Sequence, residues 1–239
     1  SGIGLEKSEI RIFSSQYLTL EGKTFSTNRN WAIWVPYIME RYNIDSIRYY
    51  LISRGAEEKN SDFTWRDFIN ANNNELVGEL GNFTNRVLTF IKKNFNGEIK
   101  REELPLQWKN IIIRTYASVG NKFENGEFKS GVKEIFNLIK QGNDFFDKNK
   151  PWILINNNKK KCEEVLYICA QILVALTDLM NPIIPFTCEK IKMFLGIKDT
   201  KWSFEERKNI RVNRVEFLFD KIDKKAYIEE LNILKDKKI

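Results

Sequence analysis

Glu75–Ile91 reads ELVGELGNFTNRVLTFI. Leu76, Leu80, Phe83, Val87 and Phe90 recur at helical spacing, so the segment is an amphipathic helix with one stripe facing a core. Asn82, Asn85 and Arg86 stand beside that stripe. Asn82 and Arg86 lie at i and i+4, which makes their side chains neighbours on one face. Working outward, the period predicts one long helix over Trp65–Asn94, ended by Asn96-Gly97. Further helices follow over Leu106–Phe123, behind Pro105, and over Phe128–Lys148, with Val132, Ile135, Phe136, Ile139 and Phe146 on one side. Pro151–Asn156 reads as a short turn of helix, and Lys160–Met180 is strongly apolar and stops at Asn181-Pro182. Phe186–Leu195 closes at Gly196; Val215–Phe219 reads as extended, and Lys224–Lys237 as a last helix. Four or five helices with short connections predict an antiparallel bundle.

Residues before this region read differently. Arg11–Leu20 (RIFSSQYLTL) has strand character, and Glu21–Asn30 is a polar loop. Pro36 suits the first position of a short helix ending near Arg41. Asp45 suits the N-cap of Ser46–Ser53, Gly55 its close, and Ser61–Thr64 a second short strand. The fold class is therefore mainly α, with a small α+β unit over residues 1–64 and a helical domain over residues 65–239.

The 239 residues suffice for a sizeable core, and 5 prolines and 12 glycines leave little for disordered linkers. No apolar run reaches a membrane span, because Asn181, Pro182 and Pro185 interrupt the best stretch, Val165–Phe186. Ser1–Lys7 does not read as a secretory leader. Cys162, Cys169 and Cys188 show no pairing pattern, which fits a reducing cytoplasm. The absence of histidine argues against a zinc site and against acid–base chemistry in this chain. The net charge of +7 points to a polyanionic partner, with basic clusters at Lys92-Lys93, Lys100-Arg101, Lys148/Lys150 and Lys159–Lys161.

Pro151-Trp152 sits in the polar stretch DKNKPWILINN. The Asn82 amide, the Arg86 guanidinium and the Trp152 indole suit an unstacked nucleotide base, two giving hydrogen bonds and one a stacking plate. Read singly, each has a plainer role: Asn82 as a solvated residue, Arg86 as partner of Asn82 or Glu79, Trp152 as a core residue pinning the short helix. Asn74 and Asn85 read as surface.

Lys23–Asn30 (KTFSTNRN) resembles the KMSKS loop of class I aminoacyl-tRNA synthetases. Phe25 matches the methionine, Ser26 the first serine and Arg29 the arginine that follows. Thr24 and Thr27 replace the two lysines, Asn28 the second serine and Asn30 the glycine. The stretch YNIDSIRYY (Tyr42–Tyr50) is similar to a segment that follows this loop in the family. NELVGELGNFTNR (Asn74–Arg86), Lys150-Pro151-Trp152, LMNPIIPFTCEKIKMFL (Leu179–Leu195) and FLFDKID (Phe217–Asp223) resemble methionyl-tRNA synthetases, in the same order along the chain.

The resemblance implies a chain carrying the stem-contact fold and the anticodon-binding bundle. An ATP-binding catalytic domain with the HIGH signature would lie upstream, and no catalytic residue or metal would lie in this chain. It implies that Asn82, Arg86, Pro151 and Trp152 read the anticodon stem-loop of tRNA(Met), and that Lys23, Phe25, Ser26, Thr27 and Arg29 form the ATP loop. Two alternatives stay open: the same region of another class I synthetase, and a stand-alone helical module that binds RNA or protein.

Overall fold

The computed structural model describes residues 11–101, 103–198 and 201–236. The readings of Ser1–Lys7 and of Lys237 lie outside the described residues. A small sheet begins the fold, with β1 (Leu18–Leu20) between β2 (Lys23–Thr24), antiparallel, and β3 (Ser61–Phe63), parallel. The strand expected over Arg11–Leu20 is thus confined to its last three residues. Among the described residues Arg11–Tyr17 joins no ladder and is exposed, although Gln16 N donates to Ala56 O at 2.7 Å and Tyr17 O accepts from Ser61 N at 3.0 Å. The expected loop contains a hairpin. Glu21 (φ 48°) and Gly22 (φ 75°) both take positive φ, which matches a two-residue turn whose twist suits the strands it joins.

Between β1 and β3 lie α1 (Val35–Arg41) and α2 (Ile44–Ser53). Asn43, not Asp45, caps α2, accepting from the backbone N–H groups of Asp45 and Ser46. Asp45 faces inward instead and accepts from Thr187 N at the start of α9 (Pro185–Leu195). Arg48 donates to the carbonyls of Pro182 and Ile183, both at 2.9 Å, so α2 holds the small unit against the bundle at both ends of that turn.

The long helix expected over Trp65–Asn94 is continuous but not uniform. It runs as α3 (Trp65–Asn70), a π-helical stretch (Ala71–Gly81) and α4 (Asn82–Asn94). The wider π turn brings each carbonyl under the residue five places on; a Cβ at Gly81 would stand 3.0 Å from Leu76 O, and one at Gly78 3.2 Å from Asn73 O. Glycine relieves that crowding at both positions. Leu76, Leu80, Phe83 and Val87 are buried as the stripe requires, and Phe90 is half-buried. Asn96 and Gly97, both at positive φ, end the helix.

The bundle adds α5 (Leu106–Glu124), α6 (Phe128–Asn149), α7 (Pro151–Asn157) and α8 (Lys159–Leu179) to α4 and α9. α4, α5, α6, α7 and α9 all pack on α8. Every α8 residue from Val165 to Leu179 is buried, which accounts for its strongly apolar sequence, interrupted only by Gln171, Thr177 and Asp178. Gly142 of α6 lets α4 approach closely, since a Cβ there would stand 2.6 Å from the Phe83 ring. The extended segment expected at Val215–Phe219 forms no ladder. The strand lies earlier, as β5 (Asn209–Arg211), pairing antiparallel with β4 (Glu98–Lys100). Both strands are three residues long, too short to show alternation.

The last helix, α10 (Ala226–Lys235), folds back onto the small unit. Fully buried Glu230 accepts from the Tyr37 and Tyr42 hydroxyls, each at 2.7 Å, and from Arg41 Nε at 2.9 Å. Burial, then the bond to Glu230, pushes the Tyr37 hydroxyl up to about 12. No helix among the described residues is long and apolar enough to cross a membrane. The three cysteines are buried and unbridged, and burial pushes the Cys162 thiol up to about 11.

Candidate RNA-binding site

Lys150 takes a left-handed conformation (φ 49°) and so breaks α6 from α7 in a single residue. Pro151 follows at the first turn of α7, where its fixed φ suits the helix and its missing N–H leaves nothing unpaired. Pro151 is buried, and its carbonyl lies 3.5 Å from the Cys162 thiol of α8. This bend turns Trp152 outward, 46% exposed, with its ring centroid 6.1 Å from that of Phe146.

Phe146 joins the two parts of the site. It is buried near the end of α6, and its ring meets Phe90 of α4 edge-on at 6.4 Å. Over the same ring lies the Arg86 guanidinium, 4.5 Å from the centroid. Asp147 pairs with Arg86 through Nη1 at 3.3 Å and through Nη2. A guanidinium has five donors, so this pairing fixes its plane and leaves donors over. Asn82 is exposed one turn before Arg86. The structure thus brings Arg86 and Trp152 onto one aromatic ring, with Asn82 on the same face of α4. It does not make Trp152 a core residue, and it gives Arg86 a different partner from Asn82 or Glu79.

Sequence reasoning missed Phe146 and Asp147 as parts of this site. Phe146 was legible only as one of the apolar positions of its helix, and the turn at Lys150 that aims it toward Trp152 has no glycine to mark it.

The basic clusters differ in surroundings. Arg101 pairs with Glu164 at 3.7 Å and Lys100 with Glu98 at 3.2 Å. Two Glu98 hydrogen bonds, from Arg211 and Asn209, and one from Lys100 hold its carboxyl down at about 2. Lys159 sits 5.5 Å from the Phe95 ring centroid, while Lys148, Lys150 and Lys160 are exposed.

The loop of residues 23–30 begins on the small sheet, as β2. Ser26 and Trp31 exchange backbone hydrogen bonds at 2.9 and 2.8 Å, and Asn30 N donates to Thr27 O at 3.0 Å. Asn30 carries positive φ (49°) where the family loop has glycine, a conformation asparagine tolerates. The Lys23 ammonium lies 4.5 Å from the Trp31 ring centroid. Phe25, Thr27 and Arg29 are exposed, Ser26 is half-buried, and the Arg29 side chain has no partner among the described residues.

Residues 3–88 match the family of tRNA synthetases class I (M), and residues 99–227 match the anticodon-binding domain of methionyl tRNA ligase. The chain belongs to the methionyl-tRNA synthetase family. It is 40% identical over 232 residues to methionine–tRNA ligase 1 of Alkaliphilus oremlandii, covering 97% of this chain and 43% of that protein. Against the methionine–tRNA ligase of Streptococcus pneumoniae the identity is 41% over 231 residues, covering 97% and 42%. The chain therefore spans less than half the length of these relatives. Methionyl-tRNA synthetase of Mycobacterium tuberculosis has the same fold in its apo form, with a TM-score of 0.75 at 19% identity, over 89% of this chain and 44% of that one. Its methionyl-adenylate-bound form gives 0.77 at 19% identity, over 85% and 43%. The chain comprises part of the family's class I region and its anticodon-binding domain.

Proposed function

We propose that this chain reads the anticodon of tRNA(Met) at the Arg86–Phe146–Trp152 cluster. Trp152 stacks on an unstacked anticodon base, and Asn82 and Arg86 bond its edge, while Pro151 fixes the indole at the start of α7. The observation that carries this reading is a half-exposed indole lying on a ring that also carries a held guanidinium. Base–aromatic stacking is worth roughly 1–3 kcal/mol per base. A wrong base leaves polar groups unpaired, which supplies discrimination. The division of the chain at residues 64 and 65 separates the stem-contact unit from the anticodon-binding domain.

In the full-length protein, this recognition serves a cytoplasmic ligase that attaches methionine to tRNA(Met) using ATP, with the chemistry in a domain upstream. ATP supplies the activating phosphates there. In this chain the loop offers Lys23 and Arg29 as cations, with Phe25 and Ser26 shaping it, because the neutral Thr27 hydroxyl cannot replace the family's second lysine.

The test is tRNA binding by folded Trp152→Ala and Arg86→Ala variants. A loss of about 5- to 150-fold for Trp152→Ala, and weaker preference over an anticodon-swapped tRNA for Arg86→Ala, supports the reading. Wild-type behaviour of both variants on both tRNAs removes it. For the loop, unaffected adenylation in full-length Lys23→Ala and Arg29→Ala variants removes the assigned cations.

A further inference from the structure

α4 has a second flank. Asn85 precedes Arg86, so their side chains leave the helix roughly 100° apart. On its side Asn85, Thr89, Lys92 and Lys93 face Val215, Glu216 and Phe217 across a groove of about 540 Å³. Phe217 is 77% exposed, a large apolar ring left in water. It is nevertheless held. Leu218 and Phe219, next in the chain, are buried, and Asn213 N donates to Phe194 O at 2.8 Å. Lys92 Nζ donates to Asn213 O at 3.2 Å, tying the same segment to α4.

The polar groups match the ring. Asn85 Oδ1 accepts from Thr89 Oγ1 at 3.3 Å, and its amide nitrogen has no partner among the described residues. Lys93 is exposed and likewise has none there. Glu216, the acid in the lining, is paired with Arg214, so Lys92 and Lys93 leave the groove positive. An aromatic plate, an amide and unpaired ammonium charge beside one another suit a nucleotide of a single strand.

We infer that this groove is a second nucleotide subsite, taking a loop nucleotide adjacent to the one at Trp152. Phe217 stacks on its base, Asn85 bonds the base edge, and Lys93 neutralises a phosphate. The inference rests on the reading of the Trp152 site, and continuity along α4 argues for the RNA strand as occupant. A single strand would then straddle α4, with one aromatic plate on each flank.

The full chain is titrated with a fluorescent stem-loop RNA carrying the methionine anticodon, with Phe217→Ala, Lys93→Ala and Trp152→Ala in parallel. Phe217→Ala is expected to weaken binding about 5- to 150-fold with an unchanged circular dichroism spectrum. Lys93→Ala is expected to lower the slope of log affinity against log salt by about 0.7. If Phe217→Ala and Lys93→Ala bind as wild type while Trp152→Ala is weak, the subsite is overturned and the Trp152 reading stands. If Phe217→Ala is weak and Trp152→Ala is not, the subsite stands without its neighbour. Binding of a free nucleoside monophosphate that needs Phe217, with RNA binding untouched, overturns the assignment to the strand. Self-association that needs Phe217, again with RNA binding untouched, assigns the ring to a second copy and overturns it too.

Discussion

Asn72 and Asn73 lie in the π-helical stretch, and Asn82 and Asn85 in α4. They are one residue type on one continuous helix, yet the fold treats them oppositely. Asn72 accepts from the Ser46 hydroxyl at 2.8 Å and donates to Asn73 Oδ1 and Asp220 O, both at 3.0 Å. Asn73 donates to Ile222 O at 2.7 Å and accepts from Ile222 N at 2.8 Å. These amides are buried and stitch the returning chain to the long helix. Asn82 is exposed, and Asn85 is half-buried with its amide nitrogen unpaired among the described residues. An amide whose bonds are all made within the fold has none to give a ligand. The 220–222 segment and Ser46 occupy the first pair, whereas in the second only Asn85 Oδ1 has a side-chain partner, Thr89, among the described residues.

The largest expected effect breaks the buried side of this contrast. Asn73→Ala leaves the Ile222 N–H and C=O and the Asn72 amide short of partners, and should cost about 3 kcal/mol in denaturant melts. RNA affinity per folded molecule should not change. A loss under about 1 kcal/mol would mean that water replaces the amide and that the contrast is weaker than the geometry implies. Next in size is Gly142→Ala. Its methyl must displace the Phe83 ring, at a cost of about 2 kcal/mol. Because α6 also carries Phe146 and Asp147, the same change should weaken RNA binding. Stability loss without affinity loss would separate the spacing of the two helices from the site.

The contrast also explains what could be read from the sequence. The bundle was legible because apolar spacing survives in α4, α5, α6 and α8, and helix ends carry marks such as Asn96-Gly97 and Gly196. The π stretch was not, because the apolar stripe of Leu76, Leu80 and Phe83 looks the same at either pitch over so few turns. Asn72 and Asn73 gave no signal either, as their partners are the Ser46 hydroxyl, each other and the main chain of a segment far along the sequence. The cap at Asn43 lost to Asp45 as an expectation because Asp45 is an equally good capping residue; only its distant bond to Thr187 decides. Arg86 and Trp152 stood out by residue type, whereas Phe146 and Asp147 needed the turn at Lys150 to bring them in.

A smaller effect tests how Arg86 is held. Asp147→Asn removes the charge from a partly exposed pair, so stability should fall by less than about 1 kcal/mol. Losing a negative charge beside a bound polyanion should raise affinity for any stem-loop at low salt. Losing the fixed guanidinium plane should reduce the preference for the methionine anticodon. Parallel titrations of cognate and swapped RNA read both; an unchanged preference would show that Arg86 needs no holder.

Asn82→Ala should have the smallest effect on the fold and is therefore the sharpest probe of the exposed pair. Asn82 is exposed at the start of α4, and alanine forms helix better than asparagine by up to about 0.7 kcal/mol. Melts should shift by no more than about 0.5 kcal/mol, in the stabilising direction. The same variant should lose discrimination at one anticodon position, since alanine offers the base no hydrogen bond. A destabilisation above about 1 kcal/mol would place Asn82 with Asn72 and Asn73 as a residue the fold requires. A stable variant with weaker discrimination would instead show why asparagine stands where alanine would make a better helix: its amide is kept for a ligand outside the chain.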